Sequence, residues 1–379
     1  MLREKSGVFK IIMMLVLTLT WALVNWSDGE GAHSDLEAFL QPELPIITVC
    51  PEGPPTCQFT KIQDAINSAP EDFSHPSLIN PAAIIQVAPG VYEESLLILN
   101  KSVILRGADR DRVFLRPPKN KNDSRRDFFS IFISGSYVIV DISGFTIQGA
   151  PIAIMGVGGW PVSGVAITEN RFEKSGIGIY GTDSPIYIER NAFLSCSGIE
   201  AAYVGWLRIL KNAFDDCWRY NINIEGASLL SAEKPRVLIA ENMEAIVRIS
   251  AGSHDIVIRE NTLSVSDSEV VTIIGNVIHE GSGVVVYNSR DIVISANQIE
   301  NNRGNGITIE YLYNQKEPSV QIVNNRIIRN DRFGILTEKL EYVTVCQGNE
   351  IRENREGDYG VGSVFPQPSP ELKAKCEGG

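Results

Sequence analysis

Short runs in which every second residue is apolar recur along most of the chain. Val165-Ala-Ile167, Ile186-Tyr-Ile188, Leu207-Arg-Ile209, Ile256-Val-Ile258, Ile292-Val-Ile294 and Val320-Gln-Ile322 are separated by polar turns. A period of two sends successive side chains to opposite faces, so each run predicts a strand with one buried face and one outward face. Just after most runs come Asn, any residue, and an apolar residue: Asn170-Arg-Phe172, Asn191-Ala-Phe193, Asn212-Ala-Phe214, Asn261-Thr-Leu263, Asn276-Val-Ile278, Asn297-Gln-Ile299, Asn325-Arg-Ile327 and Asn349-Glu-Ile351. Asn242-Met243 stands where a further copy is expected, and the successive intervals are then 21, 21, 30, 19, 15, 21, 28 and 24 residues. A Gly and a third short apolar run follow, as in Gly176-Ile-Gly-Ile179, Gly283-Val-Val-Val286, Gly306-Ile-Thr-Ile309 and Gly334-Ile335.

Each period therefore holds two or three strands too short to form a stable hairpin alone. Stacked period on period, they bury a continuous column of Ile, Val and Phe. This predicts an all-β chain, a single-stranded right-handed parallel β-helix with one rung per roughly 21 residues. Asn tolerates the left-handed conformation that a sharp corner needs, and stacked Asn side chains can hydrogen-bond from rung to rung. A second stacked position lies five residues after the first: Ser175, Cys196, Cys217, then Asn302, Asn330 and Asn354. The 15-residue interval from Asn261 to Asn276 is too short for a full rung, so the pattern does not assign the register between Asn242 and Asn276. The two longest intervals predict inserted loops near Ala227–Pro235 and Tyr311–Pro318.

The ends read differently. Arg3, Lys5 and Lys10 precede an apolar run from Ile11 to Val24, which is followed by the polar stretch Ser27-Asp-Gly-Glu-Gly-Ala32. That pattern describes a signal peptide over residues 1–26, with a retained N-terminal anchor as the alternative. The run is shorter than the roughly 20 residues a membrane span needs. Residues 27–45 are then a linker, 46–362 the β-helix and 363–379 a C-terminal tail or cap. Thr60-Lys-Ile-Gln63 has the form of a capping box and predicts a short N-terminal capping helix to Ala69, with Ile62, Ala65 and Ile66 facing inward. All six Cys lie beyond the leader, and spacing suggests the pairs Cys50 with Cys57, Cys196 with Cys217, and Cys346 with Cys376, one of 15 connectivities. Disulfides suit an exported chain, and buried free thiols are the alternative. The expected location is secreted, periplasmic or at the cell surface, with membrane contact only through an uncleaved leader.

Composition narrows the function. A net charge of -12 argues against nucleic acid as a partner, because phosphate neutralisation needs clustered Lys and Arg. With 4 His and 5 Met, a copper-handling role has few ligands to draw on. Lys101–Asp127 is the exception to the acidic balance, with nine Lys or Arg against four Asp. It reads as a solvated loop or as a contact for an anionic glycan or a phospholipid headgroup.

The segments Phe59-Thr-Lys-Ile-Gln-Asp-Ala-Ile66, Ile84-Ile-Gln-Val-Ala-Pro-Gly-Val-Tyr-Glu93 and Lys101-Ser-Val-Ile-Leu-Arg-Gly107 resemble the opening of pectin-lyase-like β-helix proteins. The Pro89-Gly-Val-Tyr-Glu93 turn is similar to one shared by pectinesterases and by NosD-like or carbohydrate-binding β-helix repeat proteins. With the Asn-X-apolar rungs, the resemblance covers residues 46–355 and implies the fold. No enzyme subfamily's motif accompanies it. Asp215-Asp216 lacks the Gly-His-Gly and Arg-Ile-Lys of polygalacturonases, the pectinesterase Asp-Phe-Ile-Phe-Gly is absent, and Asp358-Tyr-Gly360 is only a fragment of the epimerase neighbourhood. One scaffold serves many chemistries, so activity must be argued from a site.

The densest chemistry lies in Glu200–Glu225. Tyr203, Trp206, Arg208, Trp218, Arg219 and Tyr220 are the candidate glycan contacts, since aromatic faces stack on sugar rings and charged groups bind hydroxyls. Asp215, Asp216 and Glu225 are weak candidates for acid–base work. Adjacent acids in a strand point to opposite faces, which weakens Asp215 and Asp216 as a pair unless they lie in a turn. The bland alternative for the whole stretch is turn filler with partly buried aromatics. His254-Asp255 and His279-Glu280 read more simply as turn residues than as dyads. No metal or cofactor motif is present, and Ca²⁺ is the one ion left open. The leading expectation is an exported protein that binds polysaccharide or a cell-surface glycan without a recognised catalytic motif. A polysaccharide lyase or glycoside hydrolase with an unrecognised site is the alternative, and a structural or adhesive surface spacer is the second.

Overall fold

The computed structural model describes residues 44–70, 81–118, 129–135, 138–156, 164–217, 221–226, 237–242, 246–250, 254–259, 262–266, 269–279, 283–287, 289–311, 317–363 and 366–377. The leader and most of the linker lie outside them, as do the predicted insertion 227–235 and most of the one after Tyr311.

Alternating runs become strands that pair in parallel with the equivalent run one coil away. In one coil Gly164–Thr168 is followed by Arg171–Glu173 and then by Gly176–Glu189, which closes this coil and opens the next. Three ladders result. The first carries Ala83–Val87, Val103–Gly107, Ile139–Ser143 and Gly164–Thr168, and continues to Val343–Gln347. The second is short, with strands such as Arg171–Glu173, Ala192–Leu194 and Ala213–Asp215. The third runs from Leu96–Leu99 to Gly357–Val361.

Alternation decides what each ladder buries. Ile142, Ile167, Ile188 and Ile209 form an inward column on the first ladder, each in register with the next and fully buried. Ile98, Ile133, Ile154 and Ile179 do the same on the third. On the second ladder Phe172, Phe193 and Phe214 stack nearly parallel, with ring centroids 4.6 and 4.8 Å apart. Isolated rings prefer offset or edge-on packing. Here the rung spacing of about 4.8 Å places identical side chains face to face.

The Asn residues tie the coils together as expected, but not by adopting the left-handed conformation. That conformation belongs to the residue before each Asn: Glu169, Arg190, Lys211, Glu241, Ala296 and Asn324, with φ from 53° to 58°. A second set, Lys174, Ser195, Asp216, Asn301, Arg329 and Glu353, precedes the other stacked position. Each kink turns backbone groups out of the strand ladders, and the buried Asn replaces their partners. The Asn191 Nδ2 donates to Ile167 O at 2.8 Å and to Asn212 Oδ1 at 3.1 Å, while its Oδ1 accepts from the Asn170 backbone N–H at 2.9 Å. The ladder Asn170–Asn191–Asn212–Asn242 includes the copy expected at 242. Asn276–Asn297–Asn325–Asn349 and Asn302–Asn330–Asn354 form two more.

The 15-residue interval, too short for a full rung by the sequence pattern, is a complete coil. Ile256 pairs with Val271, and Val257 with Thr272, each 15 residues on. Coils here are shorter because, among the described residues, the second ladder stops at Ala213–Asp215 and resumes at Val277–Ile278. Losing that short side lets a coil close with fewer residues while the first ladder keeps its register.

Among the described residues, a helix lies at each end of the stack. Helix α1, Ile62–Ser68, packs against Ile46–Val49, Ala83–Val87 and Leu96–Leu99 and buries Ile62, Ala65 and Ile66. The capping box does not form: Lys61 is the N-cap residue, without a side-chain cap. Glu94 caps from a distance instead, its carboxylate accepting from the backbone N–H groups of Ile62 and Gln63 at 2.9 and 3.0 Å. The Gln63 amide pairs with both the N–H and the carbonyl of Leu97, at 2.7 and 3.1 Å, and so satisfies an edge strand. The sequence placed no helix in the tail, yet α2, Pro370–Glu377, covers the last coil there. Its Leu372 and Cys376 are buried. The chain reaches it through Gln367–Pro368, which pairs antiparallel with Gly357–Val361.

Disulfides join Cys50 to Cys57, Cys196 to Cys217 and Cys346 to Cys376, the pairing that spacing suggested. The second links the same corner of neighbouring coils, and the third fastens α2 to the first ladder.

Replacing Asn191 with Ala strands a buried carbonyl and a buried N–H, and is expected to destabilise the fold by about 3 kcal/mol. Chemical denaturation against wild type measures it. The double change Cys346→Ser, Cys376→Ser is expected to cost about 3 kcal/mol, with α2 losing hydrogen-exchange protection first.

Candidate functional site

Outward positions align as strictly as inward ones. On the third ladder Gly178, Glu200 and Asn223 are in register, and beside them Tyr180, Ala202 and Glu225. Met155 lies one coil before Tyr180. The first coils of this face are apolar, with Leu97, Leu99 and Met155 exposed. Tyr180 follows, its ring 40% exposed, and then the carboxylates. The Tyr180 hydroxyl donates to Glu200 Oε2 at 3.4 Å. Burial raises the Tyr180 phenol above its ordinary value, and the negative charges of Glu200 and Glu225 push it further in the same direction. Asn223 Oδ1 is buried and accepts no hydrogen bond from any described residue. This face thus presents an aromatic ring and two carboxylates on neighbouring coils.

The residues singled out in Glu200–Glu225 are spread over all three faces. Trp206 is in register with Pro185 and Arg208 with Tyr187 on the first ladder, and both are half-buried. Burial raises the Tyr187 phenol, with Arg208 opposing and Glu189 adding. Tyr203, 48% exposed with φ +56°, stands at the corner where strand Gly198–Leu210 passes from the third ladder to the first. Asp215 ends its strand on the second ladder, while Asp216 takes the left-handed corner next to it, where its Oδ2 accepts from Ser195 Oγ at 3.1 Å. Glu225 is the one candidate acid on the third ladder. Trp218, Arg219 and Tyr220 lie outside the described residues.

His254 is in a strand opposite Glu269, and His279 follows one, with Glu280 outside the described residues. Among the described residues no group of three or more His, Cys, Asp or Glu is placed to hold a metal ion. Tyr180 and Asn223 were missed as site residues, and Glu200 was read only as the start of a rich stretch. The signal was present in the sequence as the coil offset: Gly178, Glu200 and Asn223 are one coil apart, a step visible only once the rungs are aligned.

Residues 237–365 match a family model described as a right handed beta helix region. The fold of this chain is a parallel β-helix of three ladders, and over the matched residues it is similar to that family. Solved structures similar to it include the catalytic domain of a GH87 alpha-1,3-glucanase in complex with tetrasaccharides, at 12% identity over 87% of this chain and 68% of that one, with a TM-score of 0.44. The A-module of the Azotobacter vinelandii mannuronan C-5 epimerase AlgE6 is similar at 15% identity over 81% of this chain and 95% of that one, TM-score 0.40. Pectin methylesterase from carrot is similar at 12% identity over 83% and 88%, TM-score 0.27. No curated protein matches the sequence.

Glu200→Gln removes the negative charge beside the Tyr180 hydroxyl while leaving the exposure of the ring as before. The Tyr180 phenol in this β-helix repeat protein is then expected to ionise at lower pH than in wild type, though still above an ordinary tyrosine. A spectroscopic pH titration with Tyr180→Phe as the reference reads the shift, and an unchanged titration disproves the contact.

Proposed function

We propose that this protein binds a polysaccharide outside the cytoplasm, secreted, periplasmic or at a cell surface, through the outer face of its third ladder. The observation that carries the reading is the exposed Tyr180 ring beside Glu200 and Glu225 on successive coils. A ring stacks on the apolar face of a sugar, and carboxylates accept hydrogen bonds from its hydroxyls. Because the coils repeat along one axis, the face is a track that suits a polymer. Two carboxylates favour a glycan without negative charges. The three disulfides support an oxidising compartment.

The second reading is a glycoside hydrolase or lyase at the same face. Glu200 and Glu225 are one coil apart and offset by two positions along the strand. Strand geometry puts their Cα atoms about 8 Å apart, a scale on which two carboxylates can flank a glycosidic bond.

A glycan array with the full chain, with and without Ca²⁺, followed by sizing of any bound glycan, separates these readings. Binding is expected, weakened about tenfold or more by Tyr180→Ala and by Glu200→Ala. Shortened products that vanish with Glu200→Gln or Glu225→Gln make the face catalytic. If turnover depends on Asp215 or Asp216 instead, the site lies on the second ladder. Absence of binding in every condition sinks the glycan reading and favours a spacer.

A further inference from the structure

The apolar coils at the start of the third ladder are not absorbed by the Tyr180 site. Register places a row of outward positions there on four successive coils: Leu97 and Leu99, Phe132 and Ser134, Ala153 and Met155, then Gly178 and Tyr180. None of them carries a charge. Leu97, Leu99 and Met155 are exposed, and Phe132 is half-buried with the Phe129 ring 5.8 Å away, centroid to centroid. The hydroxyl of Ser134 is already satisfied, since it donates to Met155 O at 2.9 Å. On the second ladder the same coils are lined instead by Glu93 paired with Arg116 and Gln148 paired with Glu173. Apolar residues exposed in one contiguous row mark a binding surface, where singly scattered ones do not.

Tyr180 is the boundary of this row, and Gly178 sets its posture. A Cβ on Gly178 would come within 3.1 Å of Tyr180 Cε2 and 3.7 Å of its hydroxyl oxygen. The tyrosine side chain is thus laid back along its own strand, over the place where another residue would put a side chain. Its hydroxyl meets Glu200 on the next coil, and Glu225 follows on the coil after that, in the column of Tyr180 itself. On one side of the ring lie three uncharged coils, about 14 Å along the axis. On the other side lie two carboxylates on successive coils.

We propose that the ligand of this face is amphiphilic: a neutral glycan that carries an alkyl or acyl chain at one end. Its sugar stacks on Tyr180 with hydroxyls toward Glu200 and Glu225, and its chain lies along Met155, Leu99 and Leu97. The inference rests on the glycan reading of the Tyr180 site and adds the apolar part of the ligand and the direction in which it lies. Sugar hydroxyls laid over the first three coils would find no outward polar partner among Leu97, Leu99, Phe132, Ala153 and Met155. An alkyl chain there removes apolar surface from water on both sides. Carboxylates at one end only fix the orientation, and they oppose a phosphate or carboxylate head group in the place of the sugar.

Isothermal titration of the full chain with octyl and methyl β-glucoside, and with the same pair of β-galactosides, tests it below the micellar concentration, with 1-octanol as a comparison arm. At least one octyl glycoside is expected to bind about tenfold or more tightly than its methyl partner, and more tightly than octanol. Leu99→Gln with Met155→Gln, both at exposed positions, is expected to remove most of that advantage. Gly178→Val, which displaces the Tyr180 ring, is expected to weaken both members of the pair. Val277→Gln, at an exposed apolar position on the second ladder, is expected to change neither. Equal binding of the octyl and methyl glycosides overturns the inference and leaves the glycan reading standing. Binding by none of the four overturns it too, while the glycan array decides the wider reading separately. It also falls if octanol binds as tightly as the octyl glycosides, or if the double variant keeps the full advantage. A self-association in sedimentation that the double variant abolishes gives the face to a second copy of the chain and overturns it as well.

Discussion

Buried amides stacked from coil to coil set the corners of this fold. A coil must turn sharply to leave the first ladder, and it does so at a single left-handed residue. That turn costs on the order of 1 kcal/mol and leaves backbone groups facing the interior without partners. The Asn that follows satisfies them, and each Asn is in turn satisfied by the next. A ladder of this kind is cooperative, because each amide is held by the coil on either side. It makes the coils it joins turn at the same place, and the turn fixes which residues stack. The Phe172–Phe193–Phe214 stack and the Cys196–Cys217 disulfide both follow from that alignment.

Regular stacking also organises the surface. Residues about one coil apart in sequence become neighbours in space, while residues adjacent in sequence are sent to opposite sides of a strand or to different ladders. Tyr180, Glu200 and Glu225 converge although they are scattered in the chain. Asp215 and Asp216 are adjacent in the chain, yet one ends a strand and the other makes a corner. Chemistry on such a scaffold is therefore arranged in columns.

The ends need separate solutions, since a stack of strands exposes unpaired edges wherever it stops. At one end Gln63 of α1 presents its amide to the edge of Leu97, a side chain standing in for a strand. At the other, a short antiparallel segment and α2 close the last coil, with Cys346–Cys376 holding them in place. Both devices use contacts between residues distant in the chain, as does the Glu94 cap on α1.

By itself the sequence determined the repeat, the strand class, the inward columns and the stacked Asn and Cys positions, because a period of two and a coil of about 21 residues are local properties written into residue order. It even placed Asn242 in the ladder despite the longest interval. Tertiary structure decided the rest. The left-handed residue is the one before the Asn, since what the Asn contributes is a buried hydrogen bond, not a backbone conformation. The 15-residue interval is a true coil, since a coil can drop its short side while the first ladder keeps its pairing. The candidate site was illegible as a linear cluster, because Tyr180 meets Glu200 and Glu225 only after the coils are stacked in register. Register is a property of the whole stack, and no local window of residues contains it.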